Sequence, residues 1–237
     1  MNLLAFDTST DTLSIAVRHG EVLVQHTGPG GAQASATLIP ELRHLVAEAG
    51  LTFDTLDAIV FGRGPGSFTG LRTACAVAQG LAFGARGGQG VPVLPVDTLL
   101  AVAEEARLQH GCTQVVAVLD ARMGEVYHAR CEWLGGDNGW RTDADFGLGA
   151  PETVSLPAGW TVAGNARAPY GDRLAPNALH VMALPTATAL LRLAPALLAA
   201  GGGLPASDAL PRYIRDKVAQ TTAERAALRA NPTAVQP

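Results

Sequence analysis

The sequence is poor in lysine. Lys217, in Tyr-Ile-Arg-Asp-Lys, is the only one among 237 residues. That excludes a Walker A loop, which needs Gly-Lys-Ser/Thr. It also excludes Schiff-base chemistry, which needs a buried lysine. Cysteine is scarce as well. Cys75, Cys112 and Cys131 are widely spaced and form no Cys-x-x-Cys, so neither a disulfide framework nor a zinc site is expected. The 17 basic residues are scattered singly against 21 acidic ones, a formal net charge of −4. Phosphate backbones need clustered cations, so the chain is expected to be a poor nucleic-acid binder on its own. No long charge-free run escapes interruption by Gly or Pro, and the start Met1-Asn2-Leu3-Leu4 has no basic leader. Neither a membrane span nor a signal peptide is expected, and a reduced, cytoplasmic protein is.

What is present is ordinary globular composition, 48% apolar and 16% charged, enough to bury a real core. Leu3–Asp7 reads as a short apolar strand ending on an aspartate. Leu13, Ile15 and Val17 alternate with polar or small residues as a second strand. His19-Gly20 turns into a third, Glu21–Gln25. A Gly/Pro loop over Thr27–Gly31 leads to a helix with Leu38, Leu42, Leu45, Val46 and Ala49 on one face, closed by Gly50. Pro40 is expected in its first turn or at a kink. Leu56–Phe61 is a buried strand. It enters a glycine-rich loop, Gly62–Gly70, and a helix of small residues follows over Leu71–Ala85. Val91–Val96 is a strand and Leu99–Leu108 a helix.

The second half repeats the opening. Val115–Leu119 ends on Asp120, and Tyr127, Ala129, Cys131 and Trp133 alternate on the next strand. Trp160–Ala163 is another strand, and Thr186–Ala200 a helix ended by three glycines. The pattern predicts two related α/β lobes, 1–108 and 109–216, with a polar tail at 217–237.

Several strings are distinctive together. They are Asp7-Thr8-Ser9-Thr10, Gly62-Arg63-Gly64-Pro65-Gly66-Ser67-Phe68-Thr69-Gly70, Asp120-Ala121-Arg122-Met123-Gly124-Glu125-Val126-Tyr127, Gly164-Asn165 and Pro211-Arg212-Tyr213-Ile214-Arg215. Over residues 1–216 their order and spacing resemble the bacterial TsaB family of tRNA threonylcarbamoyladenosine biosynthesis proteins. The resemblance implies a two-lobed actin/Hsp70-like (ASKHA, RNase H-like) α/β fold with mixed sheets. It implies a non-catalytic subunit of the machinery that places threonylcarbamoyl on adenosine 37 of tRNAs reading codons that begin with adenine. The implied partners are the TsaD transferase, in a heterodimer, and the TsaE ATPase. Transfer RNA is then met only through the complex, and a homodimer is expected when the chain is alone. The family was once grouped with glycoproteases, but no catalytic group for peptide hydrolysis is visible.

The resemblance directs attention to particular residues. In a working ASKHA kinase, an aspartate at the end of the first strand orients metal-bound water. Asp7 has that place, with Thr8, Gly64 and Gly66 as candidate nucleotide contacts, vestigial or at an interface. The competing reading of Asp7 is a turn cap, and of the glycines a tight turn. ATP or ADP is expected only within the complex, and no metal. TsaD-type relatives carry a metal-binding His-x-x-x-His, and here the matching positions are Thr98 and Val102. A histidine usual in the family before a Leu-Leu-Pro-like string is replaced in the Ala34-Ser35 region. The partner surface is expected on the two first-lobe helices, at Leu38, Leu42, Leu45, Arg72, Cys75, Ala78, Gln79 and Ala82. Core packing must claim part of each helix. Asp120, Arg122 and Glu125 are expected to form an ion-pair network at the second lobe's turn. The alternative function is an ASKHA-type ATPase or phosphotransferase acting on its own through Asp7 and the glycine loop.

Overall fold

The computed structural model is described over residues 1–215, and the tail assigned to 217–237, Lys217 included, lies outside the described residues. The chain opens with β1 (Asn2–Asp7), β2 (Thr12–His19) and β3 (Val22–Pro29) as an antiparallel meander. β1 and β2 are buried on both faces, as their near-continuous apolar runs require. The expected loop from Thr27 is instead the end of β3, where Pro29 lies opposite Thr12. β3 is an edge strand, so a missing N–H there breaks no ladder.

α1 (Ala34–Glu48) begins earlier than the leucine stripe suggests, which places Pro40 inside the helix rather than in its first turn. β4 (Ala58–Gly64) and α2 (Phe68–Gly84) consume most of the expected glycine loop, and only Pro65–Ser67 connect them. Ser67 caps α2, its hydroxyl accepting the Gly70 N–H. β5 (Val93–Asp97) and α3 (Thr98–His110) complete this half. The first sheet runs β3-β2-β1-β4-β5, with β1, β4 and β5 parallel.

The second half contains β6 (Gln114–Arg122), β7 (Glu125–Trp133), β8 (Trp140–Thr142), β9 (Gly147–Gly149), β10 (Thr161–Gly164), α4 (Arg167–Tyr170), β11 (His180–Val181) and α5 (Ala187–Ala199). Its sheet runs β8-β7-β6-β10-β11, with β9 beside β7. With β9 left out of the count, the order is again third-second-first-fourth-fifth. The senses of the pairs repeat too: β6–β7 antiparallel, β6–β10–β11 parallel.

Helices and sheets alternate in layers. α1 and α2 cover one face of the first sheet through Leu38, Leu42, Ala74 and Ala78 against Leu4, Phe6 and Ile15. α5 covers the other face, with Leu190, Leu191 and Ala194 against Leu3, Ala5 and Val60. α3 backs onto the second sheet, Val102 and Ala106 meeting Val115, Ala117 and Cys131. One cover of the first sheet comes from beyond the division drawn at residue 108. α5 and the chain beyond it return to the first lobe: Leu204 pairs with Val93, and Ala209 enters the α1–α2 core. A purely local pattern does not say which sheet an apolar helix will cover.

A buried charge cluster ties the middle layer together. Glu104, 2% exposed, accepts from Arg107, Arg192 and the Trp140 indole, each at 2.9–3.0 Å. Glu105 accepts from Arg192 at 2.7 Å, Thr186 at 2.6 Å and Gln109 at 2.6 Å. Burial pushes the Glu104 carboxyl up, but its donors outweigh that and hold it below the usual carboxylate range.

Candidate functional site

A cleft of about 480 Å³ opens between the lobes. The first lobe contributes the β1–β2 turn and Pro65–Phe68, the second the β6–β7 turn with Tyr127 and Asn165. The last described residues, Arg212–Arg215, run along it.

The two sheets enter the cleft in the same way. Asp7 ends β1 and accepts the Ser9 N–H at 2.8 Å and the Ser9 hydroxyl at 2.6 Å through Oδ1. Asp120, near the end of β6, accepts the Arg122 N–H at 2.8 Å through its own Oδ1. Each aspartate thus caps the turn after its strand. Their surroundings differ. Asp120 also accepts from Tyr170 at 2.8 Å and pairs with Arg122 at 3.3 Å. Asp7 is fully buried, and its Oδ2 has no partner among the described residues. Desolvation pushes its pKa up from 3.8 to about 6, against the lowering effect of the Ser9 bonds.

The candidate nucleotide contacts separate accordingly. Asp7 is walled off, because a Cβ on Gly62 would lie 1.8 Å from its Oδ2. Thr8 is buried and donates to the Gly70 carbonyl at 2.7 Å. Gly64 is buried, and a Cβ there would meet the Arg212 carbonyl at 2.7 Å. Of the four, Gly66 faces the cleft, but its Cβ position lies 2.5 Å from the Ser9 carbonyl. The glycines are thus required by close backbone approach. They bring the β4–α2 connection onto the β1–β2 turn, where the Ser67 N–H donates to the Ser9 carbonyl at 2.7 Å.

The expected partner surface is corrected in a similar way. Leu38, Leu42, Leu45, Cys75, Ala78 and Ala82 are buried in the first lobe's own core. Cys75 and Gln79 both donate to the Ala209 carbonyl, at 3.1 and 2.9 Å. The apolar stripe of an amphipathic helix faces its own sheet, so the side of α1 and α2 that is open carries other residues, among them Ile39 (46% exposed) and Phe83 (73% exposed). Arg72 is exposed, with its guanidinium 3.9 Å from the Phe68 ring centroid and Nε 3.1 Å from the Tyr213 hydroxyl.

Two of the three charges expected to pair at the second lobe's turn do so, Asp120 with Arg122. Glu125 pairs instead with Arg215 at 2.8 Å. Arg122 also reaches Asp11 on the first lobe. Sequence reasoning missed Asn165 as a cap, its Oδ1 accepting the Asp120 N–H at 2.9 Å. It also missed Arg212 and Arg215, whose distance in sequence from the turns they touch hides them.

Thr98 and Val102 are both fully buried. The Thr98 hydroxyl accepts the Gly64 N–H at 3.1 Å, and Val102 packs against the second sheet. Among the described residues, no three His, Cys, Asp or Glu side chains gather where they could hold a metal ion. No helix of those residues is long and apolar enough to cross a membrane.

The family model "TsaD: tRNA N6-adenosine threonylcarbamoyltransferase" matches residues 26–223. The tRNA threonylcarbamoyladenosine biosynthesis protein TsaB of Escherichia coli (strain K12) is 32% identical over 229 residues, covering 92% of this chain and 96% of that protein. The chain belongs to the TsaB family. TsaB of Haemophilus influenzae is 41% identical over 136 residues, covering 55% of this chain and 53% of its own. Among solved structures, YeaZ from Pseudomonas aeruginosa superposes with a TM-score of 0.81 at 38% identity, covering 90% of this chain and 99% of that one. The α/β fold with two mixed sheets is the ASKHA-like fold that the resemblance implied. Within this TsaB-family fold, the strings that carried the resemblance are the cleft's own walls and the segment that crosses it.

Proposed function

We propose that the chain is the non-catalytic scaffold subunit of the complex that forms N6-threonylcarbamoyladenosine at position 37 of tRNAs reading codons that begin with adenine. In this reading it pairs with a TsaD-type transferase and is joined by a TsaE-type ATPase. The observation that carries it is the pair Thr98 and Val102. The chain matches a transferase family model across most of its length. Yet at the two positions that the resemblance matches to the transferase histidines it has a valine, which ligates nothing, and a threonine whose oxygen is already bonded to Gly64. Transfer RNA enters through the partners, and ATP or ADP only within the complex.

The partner-facing surface in this proposal is the outward side of α1 and α2. Both helices lie on one face of the first sheet, so their open sides form one surface. It carries Ile39 and Phe83, with Ala76 and Gly80 exposed between turns of α2. Small residues there let a partner helix approach closely, and the same surface would mediate self-pairing of the isolated chain. An ATPase acting alone would need Asp7 to hold a metal-bound water in the cleft, and that carboxylate is buried against Gly62.

Calorimetric titration against a TsaD-type partner tests the reading. Near-equimolar, submicromolar binding is the expected result. No binding to a folded partner would refute it, as would magnesium-dependent nucleotide turnover by the isolated chain that Asp7→Ala abolishes.

A further inference from the structure

We propose that Pro211–Arg215 is an inter-lobe strap that holds the two sheets at one fixed angle and sets the width of the cleft. This goes beyond the scaffold reading and concerns the chain by itself. The segment has no regular secondary structure, yet its side chains reach both lobes.

On the first lobe, the Arg212 N–H donates to the Arg63 carbonyl at 2.7 Å, and its guanidinium reaches Asp97 at 3.3 Å. Asp97 is already held by Arg63 at 2.7 Å, so one carboxylate at the end of β5 anchors both arginines. Tyr213 lies against Phe68 with ring centroids 5.4 Å apart, and its hydroxyl accepts from Arg72. On the second lobe, the other Arg212 nitrogen donates to the Ala144 carbonyl at 2.8 Å, and the guanidinium covers the Phe146 ring at 3.9 Å. Ile214 packs on the second lobe's core. Arg215 grips the β6–β7 turn, donating to the Ala121 carbonyl at 3.0 Å and pairing with Glu125 at 2.8 Å.

Arg212 alone therefore touches both lobes. Its side chain is 24% exposed and that of Arg215 12%, so these contacts are screened less than surface pairs. Arg122–Asp11, which also spans the cleft, joins side chains 68% and 79% exposed, and a pair that open contributes little. The first lobe is also shaped to receive the strap. Gly64 has φ +117°, and any side chain there would strike the Arg212 carbonyl. Two-lobed folds commonly hinge about their cleft. Here the chain crosses between the lobes a third time, after the links into β6 and into α5, and bonds to both sides.

The test measures the lobe-to-lobe distance directly. Spin labels are placed at exposed Arg43→Cys on α1 and exposed Ser155→Cys on the second lobe, in a Cys112→Ser background that leaves only the buried Cys75 and Cys131. Double electron–electron resonance on the full chain should give one narrow distance. In Arg212→Ala/Arg215→Ala the distribution should broaden at least twofold. An unchanged narrow distribution in a folded double variant overturns the proposal. Should that variant fail to fold, Arg215→Ala alone keeps every first-lobe tie. It should speed hydrogen exchange of amides 121–126 at least tenfold while leaving β1 amides unchanged. Unchanged exchange at 121–126 overturns the proposal equally.

Discussion

Replacing Asp7 by asparagine should remove a pH dependence of stability that the wild-type chain carries. Asp7 is fully buried, one of its oxygens has no partner among the described residues, and its pKa is raised from 3.8 to about 6. The folded chain therefore binds a proton more readily than the unfolded chain between those values. The stabilisation is complete below pH 3.8 and is lost as pH rises through about 6. A shift of about 2 units corresponds to roughly 3 kcal/mol once the group is fully ionised. About a third of that loss is already present at pH 4.5, and the remaining ~2 kcal/mol develops by pH 7.5. For a chain of this size that is about 4–8 °C in Tm. The assay is thermal unfolding of wild type and Asp7→Asn, followed by circular dichroism between pH 4.5 and 7.5. The difference in Tm, variant minus wild type, should grow by that amount across the range. Any constant cost of fitting the amide beside Gly62 cancels in this comparison. Parallel Tm curves would refute the reasoning, because they would show that Asp7 ionises as readily folded as unfolded.

Glycines in α2 should respond oppositely to alanine. Gly70→Ala drives a methyl group toward the Thr8 carbonyl, 1.9 Å from the Cβ position, and should cost about 3 kcal/mol by chemical denaturation. Gly80 has open space around it, and Gly80→Ala should stabilise the isolated chain by about 0.5–1 kcal/mol. Glu104→Ala leaves Arg107, Arg192 and Trp140 facing an empty acceptor site and should cost about 3–5 kcal/mol. Phe83→Glu, on a side chain 73% exposed, should leave stability within about 0.5 kcal/mol. It should weaken calorimetric binding to a TsaD-type partner at least tenfold, and unchanged affinity would move the interface elsewhere.

Much of the fold is legible in residue order. The alternation of Tyr127, Ala129 and Cys131 and the aspartates closing β1 and ending near β6 are local signals, and they announce the duplicated sheets. Boundaries failed where a residue's usual meaning was overridden. Gly62 and Gly64 look like loop, but they are strand residues kept bare because Asp7 and Arg212 press against them. Pro29 looks like a strand breaker but lies on an edge. On the first-lobe helices, the leucines of α1 are conspicuous because they are core. The open side is mostly polar and small, with one phenylalanine near the end of α2. The cleft needed contacts between residues far apart in the chain. Arg212 meets Asp97, and Arg215 meets Glu125, and no periodicity points from one to the other.

The return of α5 to the first sheet has a consequence for how the chain is made. Leu3, Ala5 and Val60 are covered by residues 187–199, which leave the ribosome long after β1 and β4. The second sheet, β6 to β11, is fully synthesised before that cover arrives. The first-born strands must then wait with one apolar face open, and closing so long a loop is slow. Folding in the order of synthesis would complete the second sheet first and seal the N-terminal half last. A nascent chain stalled before residue 187 would present to a chaperone a surface that the finished protein hides completely.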